Sequence, residues 1–407
     1  MDAPETVLHV AAAIRDAAGH SARPGAVAVR DGRIIATGLV DDVQRRALDR
    51  APDRVVDHGD SVLLPAFVNA HAHLDLTSIG TRAFEGTFLD WVGVVMRARP
   101  ASPEAIRTAV EEGLRQSRDA GVGWVGDIAG SDAAVLARAR AAEDVRLPGT
   151  SWLEVFGIGS RTDAGIAHAE SRLTDLRAAC ADVRDVRVDL QPHAPYSADL
   201  ALFERAAALG APSTHLAETI AELEFVDAAT GPFRDLLTRL RGDDPELRAH
   251  ALSPIRAFAP ALRRGRWVLA HCNYVDDADL EVLAGCGDVT IAYCPIASEY
   301  FGHEGHRYRD MLARGIRVAL GTDSILCQPP DETMPLGILP ACRRLWVRDG
   351  TDPKTLLAMA TVNGAKALGL ADGTATLAPG APARIVALAI DPGDPTDAWL
   401  QCLEGRD

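Results

Sequence analysis

Eight short apolar runs, separated by longer amphipathic stretches, set the tightest limit on how this 407-residue chain can fold. The runs lie near residues 63–69, 123–128, 151–156, 185–191, 212–215, 267–271, 289–294 and 316–321. Helical patterns sit between them, such as PEAIRTAVEEGLRQSRDA at 103–120 and ADLEVLAGC at 278–286. Eight alternating β and α units are the count of an α/β chain folded as a (β/α)8 TIM barrel, whose chemistry collects at the C-terminal ends of the strands. Residues 6–62 have another texture: AVAVRDGRIIATG alternates about Asp31-Gly32, a pair suited to a tight hairpin turn. A related β-rich segment returns in ATLAPGAPARIVALAI at 375–390. Neither end can bury a face alone, so together they predict a small β-sandwich domain from residues 1–62 and 370–407, with the barrel at 63–369 inserted.

Polar residues collect at the ends of the expected strands. The first run, LLPAFVNAHAHLDLT at 63–77, stops at His71 and His73, which strand alternation places on one face. His193 follows the fourth run in DLQPHAPYS, His215 ends the fifth in STHLAET, His271 ends the sixth in WVLAHC, and Asp323 follows the eighth in VALGTDS. A single strand-end histidine is ordinarily a satisfied core or loop imidazole, but five of twelve, with an aspartate, on one rim are not explained that way. On the barrel count, the first, fifth and eighth strands bring His71, His73, His215 and Asp323 around one point. That ligand set suits one divalent metal, Zn2+ first and Fe2+ as the alternative.

Glu218 lies three residues beyond His215, so a helical turn starting there swings its carboxylate over the same water and makes it the expected proton shuttle. Asp323 is expected both to ligate and to accept the water's proton. Asp75 and Glu154 are strand-end acids that either read substrate hydroxyls or amines or are structural. Trp91, in FLDWVGVVM, reads equally as a stacking surface or as a helix-packing tryptophan. Two motifs are decoys. GVGWVG at 121–126 spells GxGxxG but follows a helix and precedes a strand, the reverse of a dinucleotide site, so Gly121 reads as a helix C-cap. HEGH at 303–306 lacks the HExxH spacing and receives no ligand role.

Charge narrows the partners. Lys plus Arg number 42 against 57 Asp plus Glu, and a net charge of -15 repels nucleic-acid backbones. No apolar stretch of about 18 residues is present and the N-terminus lacks a basic lead-in, so the chain is expected to be cytoplasmic, without membrane contact. Seven scattered cysteines with no CxxC pair read as reduced and buried. The expected partner is a small molecule, and a homodimer is left open.

The set HxH, HxxE, H and D at the first, fifth, sixth and eighth strands resembles the amidohydrolase superfamily. Within it, the likeness is to the branch of adenosine, cytosine, guanine and S-adenosylhomocysteine deaminases and triazine chlorohydrolases. The segments NAHAHLDL, HLAETIAELEF, GPFRDLL and YFGHEG are similar to those of bacterial aminodeoxyfutalosine deaminase-like proteins. This resemblance implies a metal-dependent aminohydrolase acting on a purine-like nucleoside or base. The implied first substrate is aminodeoxyfutalosine, followed by S-adenosylhomocysteine, methylthioadenosine or adenosine, with triazine or pyrimidine chemistry as the alternative and a non-catalytic barrel more remote. It also implies that His271 orients the attacking water and that His193 contacts substrate, although PHAPYS also suits a rigid loop whose histidine holds backbone. Binuclear relatives use an acid or carboxylated lysine on the fourth strand. VRVDLQPH has no lysine, and the only two are Lys354 and Lys366, so a single metal is implied.

Three segments depart from the branch. Tyr274 replaces a common histidine; Ile296, Ala297 and Ser298 replace an Arg-Ser-Asn run where substrate is read, leaving Ser298 as a contact; Ala-Arg-Ile at 383–385 replaces Ala-Asp-Leu.

Overall fold

The computed structural model describes residues 4–47, 51–303 and 305–405. Residues 1–3 and 406–407 at the expected domain ends, residues 48–50, and Glu304 of HEGH lie outside the described residues. The eight expected strands are present as β1 (Phe67–Ala72), β2 (Val122–Ala129), β3 (Gly149–Val155), β4 (Val186–Pro192), β5 (Ser213–Leu216), β6 (Arg266–His271), β7 (Asp288–Tyr293) and β8 (Arg317–Leu320). They form two parallel four-stranded sheets, ordered β4-β3-β2-β1 and β5-β6-β7-β8. Every residue of β2 and β3 is buried, as expected of parallel strands covered on both faces. The sheets meet at two seams. At one, Ala72 bridges Asp323 in parallel, and the Thr322 and Asp323 N–H groups both donate to the His71 carbonyl at 3.0 Å. At the other, the His215 N–H donates to the His193 carbonyl at 3.0 Å.

The helix expected at 103–120 spans Pro103–Asp119, with Ser102 accepting from the Ala105 N–H and proline at the first position, where no donor is lost. Gly121 follows in the left-handed region at φ 79°, so GVGWVG is a helix stop running into β2. The second expected helix spans Asp277–Ala284 behind a capping box formed by Asp276 and Asp279. Four other helices border the candidate site: α1 (Phe88–Ala98), α2 (Ile220–Ala228), α3 (Pro232–Arg241) and α4 (Pro295–Tyr300).

The chain ends form two further sheets. One orders the strands 33–39, 25–30, 6–11 and 54–57, and its hairpin turns at Asp31 and Gly32 with φ 51° and 67°. The other orders 385–389, 61–65, 13–15 and 21–22, joining the late strand to early ones. This corrects the reading of the first run. Ser61–Pro65 pairs antiparallel with Ile385–Ala389, and the barrel-side strand begins only at Phe67, so the boundary at 62 falls inside a strand. The run is apolar on both sides of the junction, and hydropathy carries no mark there. Residues 375–384 form no strand; their backbone instead meets the hairpin, the Ile34 N–H donating to the Ala381 carbonyl at 2.9 Å. Arg384 lies 5.9 Å over the Trp124 ring, a stacking role for the residue that departs from the branch. Trp399 packs against Phe67 and donates to the Pro353 carbonyl at 2.8 Å, fastening the C-terminal helix to the main body. None of the seven cysteines is in a disulfide and all are buried, and no described helix is long and apolar enough to cross a membrane.

Candidate active site

One asparagine sets the central geometry. Asn69 Oδ1 accepts from the His71 and Thr322 N–H groups, each at 3.2 Å, while its Nδ2 donates to Thr322 Oγ1 at 2.8 Å. The end of β1 is thereby clamped to the end of β8, which places Asp323 Oδ1 3.5 Å from His71 Nε2 and 3.3 Å from His73 Nε2. From β5, His215 Nε2 comes to 3.4 Å from His73 Nε2, with the two rings stacked at 13°. The His271 ring lies 5.3 Å from that of His71 and 5.4 Å from that of His215, and its Nε2 is 3.5 Å from Glu218 Oε1. All six of these groups are buried. Ala217, His271, Cys272 and Asp323 are left-handed, four of the eight such non-glycine residues described. Each costs about 1–2 kcal/mol, and such strain concentrates at functional sites.

Glu218 is aimed by its neighbours. Thr219 caps α2 by accepting from the Glu222 N–H, whereas the Glu222 carboxylate bypasses the cap to accept from the Ala217 and Glu218 N–H groups at 2.8 and 2.9 Å. Asn273 Nδ2 donates to the Glu218 carbonyl at 3.2 Å, and Ser298 Oγ on α4 donates to Asn273 Oδ1 at 2.9 Å. Burial pushes the Glu218 carboxyl well above the usual carboxylate range, and the charges of Asp323 and Glu222 push it further. Burial also opposes ionisation of Asp323, but the imidazoles of His71 and His73 beside it hold it well below that range. His271 is pushed down to about 3 by burial. The site therefore sets apart an acid whose proton is held more tightly than usual, Glu218, an acid that ionises more readily than usual, Asp323, and a neutral His271.

The residues fit a divalent metal. His71 Nδ1 and Nε2 and His73 Nδ1 are buried without a hydrogen-bond partner, an arrangement that costs free energy unless a ligand uses those nitrogens. His71, His73 and Asp323 present ligand atoms within 4.8 Å of one another, and so do His71, His215 and His271. Imidazole and carboxylate together suit Zn2+ or Fe2+.

Above this cluster opens a cavity of about 300 Å³, floored by His73, His215, Glu218, His271 and Asp323. Trp91 lines it, held between Phe88 and Phe301 at ring distances of 5.6 and 5.1 Å. His193 also lines it, anchored by Nδ1 to Ser197 Oγ at 2.8 Å, with Nε2 3.8 Å from Glu154 Oε1. Glu154 faces the cavity and accepts from Arg99 at 3.0 Å; against burial, Arg99 and then His193 hold it at about 2. Two expected contacts differ. Asp75 does not border the cavity; it meets Arg99 at 3.4 Å and the Gly130 N–H at 3.3 Å. Ser298 is buried behind the floor on Asn273, too deep to touch a ligand. Tyr274 packs on the His303 ring at 4.8 Å and likewise stays outside the wall.

Sequence reasoning missed Arg99, Glu222, Asn273 and His306. His306 Nε2 donates to the His271 carbonyl at 2.8 Å and its ring stacks 3.7 Å from Tyr293, so His306 supports the site from behind. Thr219 and Glu222 do carry the spacing of a capping box, the one sequence signal among the missed group.

Residues 62–403 match the amidohydrolase family, and the chain belongs to that family. Over 374 residues, covering 86% of this chain and 83% of the relative, it is 29% identical to aminodeoxyfutalosine deaminase of Deinococcus radiodurans. The fold is similar to that of Helicobacter pylori aminofutalosine deaminase in complex with methylthio-coformycin, with a TM-score of 0.80, 20% identity, and coverage of 98% of this chain and 95% of the other. It is also similar to an adenosine deaminase from Xanthomonas campestris with bound zinc, with a TM-score of 0.76, 20% identity, and coverage of 99% and 90%.

Proposed function

We propose that this protein is a metal-dependent aminohydrolase that deaminates an adenine-type nucleoside, aminodeoxyfutalosine first among the candidates. The observation that carries the reading is the convergence of His71, His73, His215 and Asp323, with orphaned imidazole nitrogens, beneath a cavity that Glu218 and His271 also border. The named relatives and the structure with methylthio-coformycin support the substrate class. The two seams between the parallel sheets support closure into an eight-stranded barrel at about 63–369, and the sheets of the chain ends support a separate β-sandwich. Seven buried cysteines outside any disulfide support a cytoplasmic setting.

His71, His73, His215 and Asp323 would hold one metal ion, Zn2+ in the first place. Such an ion, when bound, supplies a water acidic enough to ionise near neutrality. The remaining chemistry belongs to the side chains. Glu218, whose carboxyl burial pushes well above the usual range, delivers its proton to the ring nitrogen beside the reacting carbon as the water oxygen bonds to that carbon. Asp323, anionic, takes the proton from the attacking water and returns it to the amine. The carbon–nitrogen bond then breaks as the new hydroxyl returns its proton to Glu218, and ammonia leaves behind a ring carbonyl. His271, kept neutral by burial, hydrogen-bonds the attacking oxygen. Trp91 and His193 border the space above and position the ring. An ammonia-release screen of adenine nucleosides, with and without chelator, tests this. Turnover of one or more, abolished by chelation, is expected; no ammonia from metal-loaded protein across the panel contradicts it.

A further inference from the structure

Two thiols, Cys294 and Cys327, lie beside Asp323, and neither has a part in the chemistry above. After Asp323 the chain makes a tight turn. The Cys327 N–H donates to the Ser324 carbonyl at 3.0 Å and Ser324 Oγ accepts from the Leu326 N–H at 3.1 Å, so Cys327 comes back over the residue four places before it. Gln328 Nε2 donates to the Thr322 carbonyl at 2.6 Å and fastens the turn to the end of β8. Cys327 Sγ thereby reaches Asp323 Oδ2 at 3.4 Å, a hydrogen-bond length for sulfur. The other oxygen, Oδ1, lies 3.5 and 3.3 Å from the imidazoles of His71 and His73. An ordinary thiol is protonated at pH 7 and donates weakly, and burial here favours the protonated form. Cys327 is fully buried in a small apolar cluster with Cys294 and Ala297, against Trp91, Tyr300 and Phe301. The Cys294 thiol donates to the Ala292 carbonyl at 3.8 Å, so it packs beside the carboxylate without holding it.

We propose that Cys327 is a positioning residue for the metal site, its thiol holding Asp323 Oδ2 so that the carboxylate turns Oδ1 to the imidazoles. The inference rests on the metal reading above and not on the reaction. The last torsion of an aspartate is broad, so a carboxylate free on one side presents either oxygen or both to a cation. A donor on Oδ2 selects one orientation, as hydrogen bonds to ligating carboxylates do in general. It also gives a buried anionic oxygen a partner.

Loading the full chain with Co2+ tests this through affinity and colour rather than turnover. Competition with a chelator measures the affinity, and the visible absorption bands report the ligand field. Cys327→Ala should bind Co2+ about tenfold more weakly, the lower end of what a lost outer partner costs because a thiol is a weak donor, and its visible bands should shift. Cys327→Ser, which restores a donor, should bring both part of the way back. Cys294→Ala, which opens the same cluster without touching the carboxylate, should match wild type in both. Wild-type affinity and bands in Cys327→Ala, no rescue by serine, or an equal loss in Cys294→Ala overturns the proposal, the last by assigning the effect to packing. An intense near-ultraviolet sulfur-to-cobalt band in wild type that vanishes in Cys327→Ala also overturns it, because the thiol is then a ligand. Wild-type protein that takes up no Co2+ removes the metal reading and the proposal together. Metal-loaded wild type that releases no ammonia from adenine nucleosides removes only the deaminase reading, and the Co2+ measurements still decide the role of Cys327.

Discussion

Glu222 is the buried group whose substitution separates the architecture of the site from its chemistry. Its two oxygens accept from the Ala217 and Glu218 N–H groups at 2.8 and 2.9 Å, fixing the turn that presents Glu218 and holding Ala217 left-handed at φ 51°. Glu222→Ala orphans two buried donors at about 1–3 kcal/mol each, so a loss of roughly 2–6 kcal/mol is expected. Glu222→Gln adds a pH signature. Burial pushes the carboxyl from 4.5 up to about 8, although the two N–H bonds pull the other way. Between those values the native state keeps a proton that the unfolded chain has released, so wild-type stability falls as pH rises across the window and levels off above it. At 1.36 kcal/mol per pH unit the full fall is at most ~5 kcal/mol. The glutamine variant cannot titrate and lacks this slope, so its stability relative to wild type should improve from pH 5 to pH 8.5. Urea unfolding of both proteins at the two pH values, followed by tryptophan fluorescence, measures it. A stability difference that stays constant with pH would refute the reasoning.

Other substitutions divide the roles. Glu218→Gln should retain the metal and lower kcat by about 10²- to 10⁴-fold, read by elemental analysis alongside ammonia release. Arg99→Met strips the guanidinium shared by Glu154 and Asp75, at 3.0 and 3.4 Å, and leaves two buried carboxylates facing one another. Breaking such a pair costs about 3–5 kcal/mol, and the partial exposure of Arg99 places the expected loss near the lower end, measured by urea unfolding at pH 7. His306→Ala removes the donor to the His271 carbonyl, so kcat should fall about tenfold while metal content is unchanged.

The convergence of His71, His73, His215 and Asp323 was legible because its signal is local: each ends or follows an apolar run, and the ends of parallel strands lie together. Glu218 was legible from its spacing to His215. Partnerships across the fold were not. Nothing near Ser298 announces that Asn273 will take its hydroxyl, or near Asp75 that Arg99, reaching from the end of α1, will draw it out of the cavity. His306 sits in a motif rejected for its spacing, and its support of His271 depends on a loop that returns to the backbone of β6. The misplaced start of β1 has a different cause. Ser61–Pro65 and Phe67–Ala72 are equally apolar, one buried in the sheet of the chain ends and the other in the main body.

Anomalous diffraction at the zinc edge, on crystals of protein loaded with zinc, tests the central claim most directly. One peak is expected, within coordination distance of His71, His73, His215 and Asp323, with His271 and Glu218 facing its open side. A peak elsewhere, or none beside these four residues in fully loaded protein, would contradict the account.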